Sequence, residues 1–180
     1  IDCRDQQLTV FPEGQVTGRL MTNAGRTRSF GGDASLLATL WRNLDLQVAY
    51  GYTRATFVKF DTGKADYAGN FIPYAPQHTL YAGASYTLRT GWNWLEYVIF
   101  RVAANGAGRI YWNEANTFSQ PFYALLEASI RFEHRHWAVD VWGRNLTDTR
   151  YDTFYFMSIG NSFLQRGRPR TFGVSLSITL

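Results

Sequence analysis

The C-terminal stretch RTFGVSLSITL, Arg170–Leu180, decides the fold. Phe172, Val174, Leu176, Ile178 and Leu180 alternate with Thr171, Gly173, Ser175, Ser177 and Thr179. Period two predicts a strand with one apolar face and one face of small polar residues. Ten residues rising ~3.4 Å each and tilted ~45° span about 24 Å, close to the ~25 Å apolar band of a transmembrane barrel. The segment fits one crossing, and its last residue falls at the rim.

The same two-faced pattern recurs upstream. LDLQVAYGYT (44–53) alternates through Leu44, Leu46, Val48, Tyr50 and Tyr52, and HTLYAGASYTL (78–88) through Leu80, Ala82, Ala84, Tyr86 and Leu88. LEASIRFE (126–133) repeats it, and in the less regular 95–112 stretch Val98, Phe100, Val102 and Ala104 share a face. Further strands are expected near 1–11, 22–40, 137–151 and 166–180, about eight in all. All five prolines fall in connections or at strand entrances, where a missing N–H costs least. No helix-period segment competes.

Connections alternate in length. Tight ones are expected at 41–43, 89–93 and 134–136, and long ones at 12–21, 59–77, 113–120 and about 152–165. Trp41, Trp92, Trp94 and Trp137, four of the six tryptophans, cluster at the tight-turn end. An amphipathic ring with an N–H prefers the headgroup level, so a Trp girdle marks where strands leave hydrocarbon. Composition agrees: 46% hydrophobic and 17% aromatic, yet only 18% charged, with a mean hydropathy of -0.25 and no long apolar run. The apolar residues are interleaved, as an all-β transmembrane barrel requires.

Eight strands alone close only a narrow barrel, whose interior side chains must fill. The opposite faces here are too small for that: Asp45, Gln47, Ala49, Gly51 and Thr53 on one strand, Thr79, Gly83, Ser85 and Thr87 on another. They suit a wide, wet or plugged lumen, so the chain reads as part of a larger barrel. A self-contained eight-stranded outer-membrane barrel, acting as anchor or adhesin, and a soluble ligand-binding barrel are the competing readings.

The segment GRNLTDTRYDTFYF, with Asn145-Leu146-Thr147-Asp148 and Tyr151, followed by Gly167-Arg168-Pro169-Arg170-Thr171, resembles the C-terminal end of TonB-dependent outer-membrane receptors. NAGRTRSFGGDASL (23–36, with Asp33), YAGNFIPYAPQHTLYAGASY (67–86) and DQQLTVF (5–11) resemble that family's preceding segments in the same order. The resemblance implies an antiparallel barrel of about 22 strands with a plugged lumen. In it, residues 1–180 form the last eight strands, and the plug and N-terminal strands lie outside this sequence. It further implies a siderophore-type transporter in the outer membrane of a Gram-negative bacterium. Expected partners are a ferric siderophore or similar ligand, outer-membrane lipid, TonB through the N-terminal region, and the barrel-assembly machinery through the last strand. Family members usually end in an aromatic, most often Phe, whereas this chain ends in Leu180.

An iron-siderophore complex is large, flat in parts, and anionic or neutral, so aromatic faces and guanidinium groups suit it. Tyr74, Arg109, Tyr111, Trp112 and Tyr155 fall at the long-loop end and are the candidate ligand contacts; an outer aromatic girdle is the bland account of the same residues. Asp140, Arg144, Glu127 and Arg131 are expected to pair with one another or with a plug. Asp61 and Asp66 read as loop solvation. No catalytic constellation, cofactor motif or metal-ligand spacing is expected: His78, His134 and His136 sit at a strand entrance or in a turn, and Cys3 is alone. RGRPR (166–170) has no stacking platform or recognition helix beside it, so no nucleic-acid role follows.

Overall fold

The computed structural model describes residues 1–10, 20–63, 65–158 and 161–179. Most of the expected 12–21 connection, and Leu180, lie outside the described residues. Eight antiparallel strands form one sheet in the order β1(Asp2–Val10), β2(Leu20–Leu40), β3(Leu44–Lys59), β4(His78–Trp92), β5(Leu95–Gly108), β8(Tyr123–His134), β9(Trp137–Arg144) and β12(Thr171–Ile178). Two small hairpins, β6(Ile110–Tyr111) with β7(Ser119–Gln120) and β10(Asp152–Ser158) with β11(Asn161–Arg166), occupy the long connections.

The ladder turns the sequence alternation into two continuous faces, because directly opposed residues point the same way. Leu46 faces Ala84, Ala84 faces Val102, and Val102 faces Ala128, while Ile130, Val141 and Val174 continue the apolar face to the edge. On the other face, Asp45, Ser85, Arg101, Ser129, Trp142 and Gly173 form one row across six strands. The apolar face is left in the open: Leu36, Phe172, Val174, Leu176 and Ile178 are each at least 64% exposed. A soluble protein buries such a face; a bilayer solvates it.

The tight turns fall at 41–43, 93–94 and 135–136. They are staggered: Leu44 opposes Leu40 at one turn but Tyr86 in β4, whose own turn comes six residues later at Trp92. That stagger is the strand tilt a barrel wall needs. Trp41 is 83% exposed in its turn, and Trp92 stacks on Trp94 at 5.3 Å, so the tryptophans do line this rim.

The strand expected near 1–11 is present as Asp2–Val10, whereas 137–151 and 166–180 are shortened to Trp137–Arg144 and Thr171–Ile178. β1 pairs only with Leu20–Arg28, the half of β2 farthest from the tight turns, so it forms an outer ribbon and not a crossing over these residues. β9 stops at Arg144 instead of running to 151, because Asn145 takes a left-handed backbone (φ 49°). Within the chain the sheet is open, with β12 and the 30–40 half of β2 as its edges.

Val48, midway along the 44–52 part of β3 that pairs with β4 and on the apolar face, tests the assignment of faces. Val48→Arg is expected to lower folding stability in lipid vesicles by about 2–4 kcal/mol, whereas Gln47→Arg on the polar face leaves it nearly unchanged. Denaturant titration of vesicle-inserted protein measures both.

Candidate functional site

At the end away from the tryptophan-lined rim, three connections interlock into a cap. Residues 60–63 and 65–77 fold back on β3, with Phe57 N–H donating to Asn70 O (2.9 Å), Ile72 N–H to Ala55 O (3.0 Å), and Phe57, Phe60, Tyr67 and Ile72 packed together. Asp61 and Asp66 accept from the N–H groups of Gly63 (2.8 Å) and Ala68 (2.9 Å), which is turn chemistry.

Asparagines tie this loop to the next. Asn116 accepts from Phe71 N–H (2.7 Å) and donates to Phe71 O (2.9 Å), and Asn70 Nδ2 donates to Glu114 O (2.8 Å). Each imitates one rung of a strand ladder where no strand continues. Gln120, buried at 6% exposure, accepts from Asp152 N–H (2.9 Å) and so reaches the third connection. Tyr74 reaches it too, donating its hydroxyl to Tyr155 O (2.7 Å).

The third connection is pinned by the motif around Asn145. The Asn145 amide, 5% exposed, donates to Thr149 O and Arg168 O (both 3.0 Å) and accepts from Thr149 N–H (2.8 Å). Asp148 accepts from Arg170 N–H (3.0 Å), and Tyr151 covers Gly167 so closely that a Cβ there would lie 2.0 Å from its ring. These contacts clamp the outer end of β9 to the entrance of β12.

Aromatic rings fill the cap. Tyr74 meets Trp112 (5.4 Å) and Phe154 (5.5 Å), Phe118 stacks on Tyr155 (4.8 Å), and Phe71 stacks on Tyr111 (5.4 Å). The structure thus gathers four of the five candidate ligand residues, Tyr74, Tyr111, Trp112 and Tyr155, in one place. Trp112 and Tyr155 are each only 7% exposed and act as the cap's core, whereas Tyr74 is 43% exposed. Arg109 stands outside the ring cluster, its carbonyl accepting from Gln77 N–H (3.0 Å) and its side chain exposed. Phe118 and Phe154 complete the cluster and were not singled out from sequence, because isolated loop phenylalanines carry no periodic signal. Burial raises the Glu114 carboxyl above its ordinary value.

Below the cap, the polar face of the sheet forms a trough of about 490 Å³ lined by Asp45, Gln47, Arg101, Glu127, Asp140 and Arg144, among others. The four charges expected to pair with one another or with a plug do not pair with one another within this chain. Arg131 binds Glu133 (2.7 Å), Glu127 accepts from Asn105 (3.0 Å), and Arg144 lies over the Trp142 ring (4.8 Å). Asp140 Oδ1 is buried with no partner among the described residues. Arg131 takes the carboxylate two residues along its own strand, although Asp140 stands opposite it in the register.

A tilted antiparallel wall, apolar outside and polar within, with tight turns at one rim and interlocked loops at the other, defines a transmembrane barrel of outer-membrane type. The chain belongs to the TonB-dependent receptor family: residues 2–146 match the family described as TonB dependent receptor-like, beta-barrel. Membership makes it part of the β-barrel of a TonB-dependent receptor-like protein, in the outer membrane of a Gram-negative cell. The chain is 25% identical over 181 residues to the pesticin receptor of Yersinia pestis, covering 97% of itself and 25% of that protein. Among solved structures it resembles the ferric yersiniabactin uptake receptor FyuA of Yersinia pestis (TM-score 0.80, 22% identity, 98% of this chain and 26% of that one). It also resembles the siderophore receptor PiuA of Acinetobacter baumannii (TM-score 0.71, 18% identity, 97% and 24%). The chain therefore spans about a quarter of the length of the relatives it matches.

Two outcomes test the cap. Asn145→Ala removes three side-chain hydrogen bonds and places alanine in a left-handed conformation, so stability is expected to fall by about 2 kcal/mol or more, read from denaturant midpoints. Because the Glu114 pKa is raised, its neutral form favours the closed cap; that stabilisation is complete in acid and is lost as pH rises through the raised value. Hydrogen exchange at the Phe71 amide should therefore be slower in Glu114→Gln than in the native chain at neutral pH, and equal in acid.

Proposed function

We propose that residues 1–180 are the C-terminal part of the barrel of a TonB-dependent transporter that takes up a ferric siderophore or a similar large ligand. The observation that carries this reading is the cap of interlocked aromatic loops standing over a polar, charged trough. A chelate held at the cap has a water-filled or plugged route beneath it, and an apolar wall keeps that route inside the bilayer. FyuA and PiuA, described as receptors for ferric yersiniabactin and for siderophores, support the ligand class. Tyr74, exposed beside the buried Trp112, and Arg109 make the direct contacts, an aromatic face and a guanidinium for a flat or anionic chelate. Tyr111, Trp112 and Tyr155 hold Tyr74 in place.

The rest of the machine lies outside this sequence on the same reading. A plug occupies the trough, where Asp140 offers an unpartnered carboxylate oxygen, and TonB acts through the N-terminal region. The apolar face contacts outer-membrane lipid, and the last strand addresses the barrel-assembly machinery. Self-closure of eight strands is disfavoured, since β12 pairs with β9 alone and neither β1 nor β2 reaches it.

Binding to the complete receptor tests this. Ferric siderophores of catecholate, hydroxamate and phenolate type are titrated against intrinsic fluorescence, with iron-limited growth as the cellular readout. One class is expected to bind, and Tyr74→Ala to weaken it about tenfold, in line with a lost aromatic anchor. Absence of binding by every ferric chelate, with normal growth of a deletion strain on each, contradicts the proposal.

A further inference from the structure

The tight turn between β8 and β9 carries two imidazoles, His134 and His136, on either side of Arg135. It stands at the tryptophan-lined rim, at the opposite end of the sheet from the cap. Its shape is fixed from both sides. The β8–β9 ladder ends on His134 opposite Trp137, whose ring stacks on the His134 ring at 6.1 Å. On the other side, Thr179 N–H, just past β12, donates to His136 O (2.9 Å). The backbone that carries the two rings is therefore held by its neighbours.

Within this frame the rings converge. Their centroids lie 5.8 Å apart, and His136 N–H approaches His134 Nδ1 at 3.5 Å, so the Nδ1 lone pair points along the turn toward His136. At that length the bond is weak and the lone pair is available to a stronger partner. An ion held ~2.0–2.1 Å from a ring nitrogen sits about 3.2 Å from the ring centre, so rings within about 6.4 Å of each other can share one ion. Glu133, next along the chain, is held by Arg131 on the opposite face of β8, which leaves the remaining coordination positions to water. Arg135, exposed between the histidines, opposes a cation and keeps the ion exchangeable. Imidazole suits Cu²⁺, Ni²⁺ and Zn²⁺, and affinity among these peaks at Cu²⁺. Neither the cap nor the trough uses these residues. Sequence spacing alone assigns the two histidines no metal role; the approach of their rings appears only in the folded turn.

We propose that His134 and His136 form a binding site for a divalent transition-metal ion, Cu²⁺ ahead of Ni²⁺ and Zn²⁺. In an outer-membrane barrel the tight turns face the periplasm, so the site meets metal ions of that compartment. It stands apart from the proposed chelate contacts at the cap and shares no residue with them. Binding uses unprotonated ring nitrogens, so protons compete with the ion and acid releases it.

The untagged complete receptor in detergent is dialysed to equilibrium against Cu²⁺, Ni²⁺ or Zn²⁺, and the bound Cu²⁺ is examined by electron paramagnetic resonance. The native protein is expected to hold one more Cu²⁺ than His134→Gln/His136→Gln. That ion should show hyperfine splitting from two imidazole nitrogens and should leave in acid. Each single substitution should weaken its binding by at least the roughly tenfold that losing an outer-shell partner of a metal ligand costs. His136 is exposed, so His136→Gln keeps the fold and stays informative even if His134→Gln, which loses the Trp137 stack, fails to assemble. Equal Cu²⁺ stoichiometry and affinity in the native protein and in His136→Gln overturns the proposal. So does a spectrum with fewer than two nitrogens at the ion that the substitutions remove.

Discussion

In hydrocarbon, every main-chain N–H and C=O must find its partner inside the protein, and a strand finds it only in neighbouring strands. That constraint forces the unbroken pairing from β2 to β12. Once the pairing is continuous, the alternation of each strand is locked to that of the next, because a one-residue slip would carry a whole apolar row into the lumen. Leu46, Ala84, Val102 and Ala128 therefore cannot be understood one strand at a time. They are one lipid-facing row, and Asp45, Ser85, Arg101 and Ser129 are the lumenal row that must accompany it.

Outside the bilayer the constraint relaxes, and side chains take over what the ladder did below. Asn70, Asn116, Gln120 and Asn145 each bond main-chain groups of the connections beyond the main sheet. Amides are suited to this, since each carries both a donor and an acceptor. The aromatic cluster of Tyr74, Trp112, Phe118 and Tyr155 then packs over the framework. The division suits the proposed function: a rigid wall, and above it a cap held by a few replaceable contacts, which is where binding surfaces are usually drawn from.

Much of the wall was legible in the sequence. Strict alternation in 44–53, 78–88 and 171–180 located strands and faces, and Trp92 and Trp94 located a rim. The extent of β1 was legible but its pairing was not, because Asp2, Arg4 and the residues after them alternate as a crossing strand does; only the register shows that they pair with the outer half of β2. The end of β9 was missed because Asn145 ends it through a left-handed turn and hydrogen bonds to residues as distant as Arg168. The resemblance marked that motif without supplying its physical reason. Four of the five candidate ligand residues proved to be neighbours, as the long-loop topology implied, but their burial depends on loops whose packing no local pattern encodes. Pairing among the lumenal charges was not legible, since Arg131 meets Glu133 on its own strand although Asp140 stands opposite it in the register.

The central claim, that the two faces of one strand meet lipid and water respectively, is tested most directly by spin labels along β12. In a Cys3→Ser background, single cysteines from residue 172 to 178 are labelled in the bilayer-inserted receptor, and collision with oxygen is compared with collision with a water-soluble nickel complex. Labels at 172, 174, 176 and 178 should favour oxygen, and those at 173, 175 and 177 the nickel complex, with a period of two. A flat profile, or one with the two sets exchanged, would contradict the account.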